Sequence, residues 1–61
     1  MFRKTTGLMS KDDASRRSRA IRNLLSSGEG FVQMHEEDDK YFLLMEVASH
    51  LKEKVLSILK S

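Results

Sequence analysis

Cysteine is absent from the 61 residues, and so are proline and tryptophan. Without cysteine, disulfide bridges and thiolate metal sites are excluded. The same absence fits a cytoplasmic protein. Two histidines, His35 and His50, are too few for a zinc site of the usual kind, and no cofactor is expected. Long hydrophobic runs are missing as well. The longest, YFLLM from Tyr41, falls far short of the roughly 20 residues that span a bilayer. The opening MFRKTTGLMS has Arg3 and Lys4 but no apolar run behind them, so it is not a signal peptide. Bulky Phe2 would leave Met1 in place, which makes a full-length small protein the expectation. There is no internal repeat and no low-complexity tract.

A chain of this length forms one domain, and it buries only about 60% of its unfolded surface. Small domains usually add disulfides, a metal or a partner chain. With the first excluded and the second disfavoured, association is the expected source of stability. A homodimer is the simplest form of it.

The net charge is only +2, but the charges are segregated. Residues 1–23 carry Arg3, Lys4, Lys11, Arg16, Arg17, Arg19 and Arg22 against Asp12 and Asp13, a net +5. Residues 24–40 carry Glu29, Glu36, Glu37, Asp38 and Asp39 against Lys40, a net −4. Such a dipole can steer a partner, or draw two copies head to tail.

Residues 1–9 show no clear period and suggest a flexible basic arm, or a short edge strand around Arg3 to Thr6. Residues 10–61 form the single domain. Ser10 is a good N-cap with Asp13 three residues on, an acidic variant of the capping box. Asp12 and Asp13 oppose the positive end of the helix dipole. Gly28, in SSGEG, suits a helix stop, so the first helix is expected over about 11–27. Ala14, Ser18, Ile21, Leu24 and Leu25 share one side of it, and Lys11, Arg16, Arg19, Arg22 and Asn23 the other. Arg17 flanks the apolar stripe, where its stem can cover apolar surface.

The segment GFVQMHEEDDKYFLLMEV admits two folds. In the preferred one it is a β-hairpin with strands near 31–36 and 41–46 and Asp38-Asp39 as the loop. Glu37 then faces Lys40, Met34 faces Leu43 and Val32 faces Met45. Val32, Met34, Tyr41, Leu43 and Met45 share an apolar sheet face, with a charge pair beside the turn. In the alternative, an all-α helical hairpin, a long coiled-coil helix starts near Asp38. Tyr41, Leu44, Ala48, Leu51, Val55 and Ile58 then occupy a and d positions. Both readings end in an amphipathic helix from about Val47 to Lys60. The expected class is α+β: a helix–β-hairpin–helix domain, dimeric through hairpin and C-terminal helix. Phe42, Leu44, Leu51, Val55, Leu56, Ile58 and Leu59 are the expected dimer or partner interface, because so small a monomer cannot cover this much apolar surface.

Catalysis is not expected. Nucleophilic chemistry needs an activated nucleophile, a base and an orienting group. The one local pair, Ser49-His50, diverges on a helix. HEEDD, from His35, has no calcium-loop spacing and suits a solvated acidic turn. His50 and the methionines at 34 and 45 need no special role.

The arginines carry the functional expectation. A guanidinium offers a planar fork of donors that suits phosphate. Lys11, Arg16, Arg19 and Arg22 on one helix face, with Arg3 and Lys4 beside it, point to backbone contacts on duplex DNA. No aromatic stands among them, which disfavours a single-strand binder. Asp12–Arg16 and Asp13–Arg17 are the only acidic i,i+4 partners on the helix, too few for a self-neutralised solvated face. The competing readings are an adaptor or inhibitor docking onto a larger protein, and a plain solvated face. The order RAIRNLLSSGEGFVQMHEEDDKYFLLMEVASHLKEKVLSIL, residues 19–59, resembles the back half of a winged-helix domain. That resemblance implies an arginine-rich recognition helix, a hairpin wing and a dimerising helix. Only nine residues precede Ser10, where that family normally places two further helices.

Overall fold

In the computed structural model, which describes residues 1–60, the centre of the molecule is the most apolar strand, β3 (Lys40–Val47). It is flanked by β1 (Phe2–Thr5) and β2 (Gly30–Glu37), both antiparallel to it, in the order β1-β3-β2. Helix α1 (Lys11–Leu24) connects β1 to β2. A 3₁₀ turn at Ser49–Leu51 leads into α2 (Lys52–Lys60). The chain is thus α+β, two helices with a three-stranded antiparallel sheet, and the all-α alternative is not what forms.

The hairpin takes the expected register: Glu37 opposite Lys40, Met34 opposite Leu43, Val32 opposite Met45. Its two-residue turn places Asp38 and Asp39 at φ 49° and 67°. Positive φ at both central positions is the type I′ geometry, whose twist matches that of the strands. Aspartate tolerates this region better than most residues.

Residues 1–9 are ordered against β3 rather than forming a free arm. Beyond Thr5, the Thr6 N–H donates to the Leu43 carbonyl and the Thr6 hydroxyl accepts from the Leu43 N–H. Met9 and Tyr41 exchange both backbone bonds, at 2.7 and 2.9 Å. The segment forms a short edge strand, Phe2–Thr5, close to the one expected around Arg3 to Thr6, and only Phe2 in it is apolar.

Helix α1 starts as expected, with the Ser10 hydroxyl accepting from the Asp13 N–H at 3.2 Å. It stops at Leu24, not near residue 27. Leu25 is already extended, and both leucines pack against the core. The Ser26 N–H, which would continue the helical ladder, is taken by the Glu29 carboxylate at 2.8 Å. Gly28, at φ +83°, serves this Ser26–Glu29 turn instead of capping the helix. The second helix also begins later than its periodicity suggests. Val47 belongs to β3, paired with Phe2 on one side and Gly30 on the other, and it is fully buried.

Both helices lie on one face of the sheet. Strand alternation sends Val32, Leu43, Met45 and Val47 into that side, where Ala14, Ile21, Leu51 and Val55 complete the core. Ser18, the one buried polar residue of the described chain, turns its hydroxyl to the Ser15 carbonyl at 3.1 Å. Among the described residues, no layer covers the opposite face. It presents Phe31, Leu44, Phe42, Gln33, His35, Thr5, Arg3 and Glu46. Among the described residues, no helix is long and apolar enough to cross a membrane.

Candidate nucleic-acid interface

Helix α1 stands on the sheet by the Ala14–Ser18–Ile21 stripe, which turns Arg16, Arg19 and Asn23 to solvent on its far side. Fourteen residues give a rod about 21 Å long. Asp12, Ser15, Arg16, Arg19, Ala20 and Asn23 line a shallow depression along it. Lys11 and Arg22, also exposed, lie about a quarter turn round, on the stripe with Ser15 and Ser18 that overhangs β2. The Ser15 hydroxyl reaches the Met34 sulfur of β2 at 3.9 Å. On the other flank Arg17 is half-buried, its Nη1 3.6 Å from the Met9 sulfur.

Arg16 meets Asp13 at 3.5 Å, both partly exposed, a contact worth little in water. Arg19, Arg22 and Lys11 form no salt bridge with a described residue. Of the six expected basic residues, Arg16 and Arg19 share the outer side of α1, and Lys11 and Arg22 flank it on the stripe above β2. Arg3 and Lys4 do not join them. Alternation on β1 sends them to opposite faces of the sheet. Arg3 lies on the open face, where its Nε donates to the Glu46 carboxylate at 2.7 Å. Lys4 lies on the helix side at the β1 edge, near Arg17 and Leu59. Of the two, only Lys4 lies on the side of the sheet that carries α1.

The expected apolar interface divides in the same way. Leu51 and Val55 are buried in the chain's own core, so a second chain cannot reach them. Ile58 and Leu59 are half-buried against that core, and Leu56 is half-buried too. Periodicity identified a buried stripe, but the stripe's partner is this chain's sheet. Leu44 and Phe42 do lie on the open sheet face. Leu44 is 37% exposed and Phe31, on the same face, is 43% exposed. The Phe42 ring stacks on His35, with centroids 5.4 Å apart.

Six of the nine acidic side chains gather around the hairpin tip. Because Met9 pairs with Tyr41, the start of α1 sits by the hairpin tip. Asp12 and Asp13 there join Glu36, Glu37, Asp38 and Asp39, and the C-terminal half of α1 points to the other end. At that end Glu29 accepts from the Ser26 N–H and lies 3.1 Å from His50. The Ser26 bond, aided by His50, holds the Glu29 carboxyl below the usual carboxylate range. Among the described residues no three His, Asp or Glu side chains converge so as to hold a metal ion.

The winged-helix resemblance carries over only as an order of elements. Strand β1 stands where two helices would, and the would-be wing ends in four carboxylates. The chain matches no family model, no curated protein and no solved structure.

Proposed function

We propose that the chain is a small non-enzymatic regulator, acting as a dimer in the cytoplasm, that binds duplex DNA through the outer side of α1. The observation that carries this reading is the exposed row of Arg16, Arg19 and Asn23, flanked by Arg22 and Lys11, with three of the four cations outside any ion pair to a described residue. A helix with its side chains is 10–12 Å across and fits a major groove about 12 Å wide. Arginine forks there bind phosphate, and Asn23 adds a polar contact. The acidic tip repels phosphate, so the hairpin points away from the duplex. The absence of cysteine fits the proposed compartment.

The test is a titration of a fluorescent mixed-sequence duplex with the wild type and with an R16A/R19A variant. A loss of roughly tenfold or more in the variant is expected. Equal binding by both, or none by the wild type at low salt, overturns the reading. A second reading, an adaptor that docks onto a larger protein, is favoured by one observation: the open sheet face leaves Phe31 and Leu44 exposed. Failure to bind DNA together with capture of one defined protein, lost on changing Phe31 and Leu44 to Ser, would favour it.

A further inference from the structure

We propose that the outer edge of β2 is a self-pairing edge, at which two copies of this chain join antiparallel into one continuous six-stranded sheet. The sheet order β1-β3-β2 leaves β2 bonded on one side only. The two-residue turn makes Glu37 and Lys40 a hydrogen-bonded pair, and the ladder alternates from there. Odd-numbered residues of β2 therefore turn their N–H and C=O groups to β3. The Glu29 carbonyl, accepting from the Ala48 N–H at 2.8 Å, continues that parity. Gly30, Val32, Met34 and Glu36 aim theirs outward, along an edge eight residues long.

Natural edges are usually blunted by proline, lysine, a bulge or a covering element. This strand, GFVQMHEE, has no proline or lysine, and its register with β3 runs without a bulge. The shorter β1 edge carries both Arg3 and Lys4.

Charge selects the partner. Helix α1 runs back over β2: its start lies by the hairpin tip and Ser15 touches Met34, so the course of the helix carries Arg22, about two turns on, toward the beginning of the strand. Antiparallel pairing with Gln33 on the two-fold axis sets Glu36 of each copy opposite Gly30 of the other, below the second copy's Arg22. Gly30 contributes no side chain to obstruct that approach. Two-fold symmetry makes the pair twice. A parallel arrangement would instead set tip against tip, carboxylates together. The same register sets the exposed Phe31 of one copy opposite His35 of the other, extending the His35–Phe42 stack across the junction. It also joins the outward backbone groups as Gly30–Glu36 and Val32–Met34 pairs, which uses all four residues of each edge.

The experiment is sedimentation velocity on the full chain, without DNA. It uses the wild type, Met34→Pro, a synthetic chain N-methylated at Met34, Glu36→Arg, and Glu36→Arg with Arg22→Glu. The Met34 N–H points away from β3, so neither proline nor the methyl group removes a bond of the β2–β3 ladder. Circular dichroism checks that each variant keeps the wild-type fold. The wild type is expected to be a dimer at micromolar concentration, and both Met34 variants folded monomers. Glu36→Arg should weaken the dimer about tenfold or more through like-charge contact, and the double variant should recover it. A monomeric wild type, or a dimer that survives N-methylation, overturns the proposal. R16A/R19A should leave the dimer unchanged, so the outcome is independent of whether α1 binds DNA.

Discussion

Replacing Leu51 by Ala separates two roles for the C-terminal helical segment. Sequence pattern puts Leu51 at an interface between chains, whereas the structure buries it to 5% exposure between α1, α2 and the sheet of one chain. Truncation removes three buried carbons and leaves a cavity. At about 0.8 kcal/mol per methylene plus the cavity term, the loss is about 3 kcal/mol. A domain of this size has roughly 3–9 kcal/mol in total, so the variant loses a third of its stability or all of it. The melting temperature should fall by about 12–24 °C, at about 4–8 °C per kcal/mol. The assay is urea unfolding of wild type and variant at two protein concentrations about twentyfold apart. Such a dilution shifts a dimer's apparent stability by about 1.8 kcal/mol. Because Leu51 is internal to the chain, the gap between wild type and variant should persist at both concentrations. If dilution to monomers abolished the gap, Leu51 would be an interface residue and the core described here would be wrong. Ile58→Ala, at a half-buried site, should cost about half as much.

Three further outcomes follow from local geometry. Gly30→Ala should prevent folding or cost more than about 3 kcal/mol, because a Cβ there meets the Glu46 carbonyl and φ is +133°; a thermal melt within a few degrees of wild type, by the scale of about 4–8 °C per kcal/mol, would contradict this. Asp39→Gly should stabilise the hairpin by about 1 kcal/mol by relieving positive φ, read as a higher urea midpoint with an unchanged slope. Glu29→Gln tests the Ser26 turn by pH. The folded carboxyl sits below its ordinary value of 4.5, so its contribution is full above that value and is lost as pH falls through the lowered one. The wild-type advantage over Glu29→Gln at neutral pH should therefore close in acid, and a gap constant with pH would refute the assignment.

What sequence made legible was local chemistry. The hairpin register follows from alternation and from the one charge pair, Glu37 and Lys40, that can flank a two-residue turn. The start of α1 follows from Ser10 and Asp13 because capping involves neighbouring residues only. What stayed hidden depends on distant contacts. The end of α1 is set by Glu29 reaching back to Ser26, a competition that no helix periodicity reports. The limits of β3 and α2 depend on β1, whose pairing carries Val47 into the sheet. For the candidate site, the outer row of α1 was readable from a 100° wheel. The separation of Arg3 from Lys4 needed the knowledge that residues 2–5 are a strand. The free β2 edge could not be seen until β1 was known to pair with β3. The open sheet face, by contrast, was implied by the hairpin pattern, since Phe42 and Leu44 alternate with Leu43 and Met45.

The central claim is that α1 contacts phosphates, and the salt dependence of duplex binding tests it most directly. Each neutralised phosphate releases counterions, giving a log–log slope of about −0.9 per contact. Arg16, Arg19 and Lys11 predict a slope of roughly −3 per protomer, rising to about −4 where Arg22 contacts phosphate rather than the partner's Glu36. Arg19→Ala should make it shallower by about one while leaving the fold intact, because that face is solvated. A wild-type slope near zero, a slope that Arg19→Ala does not change, or no binding at ~50 mM salt would contradict the account.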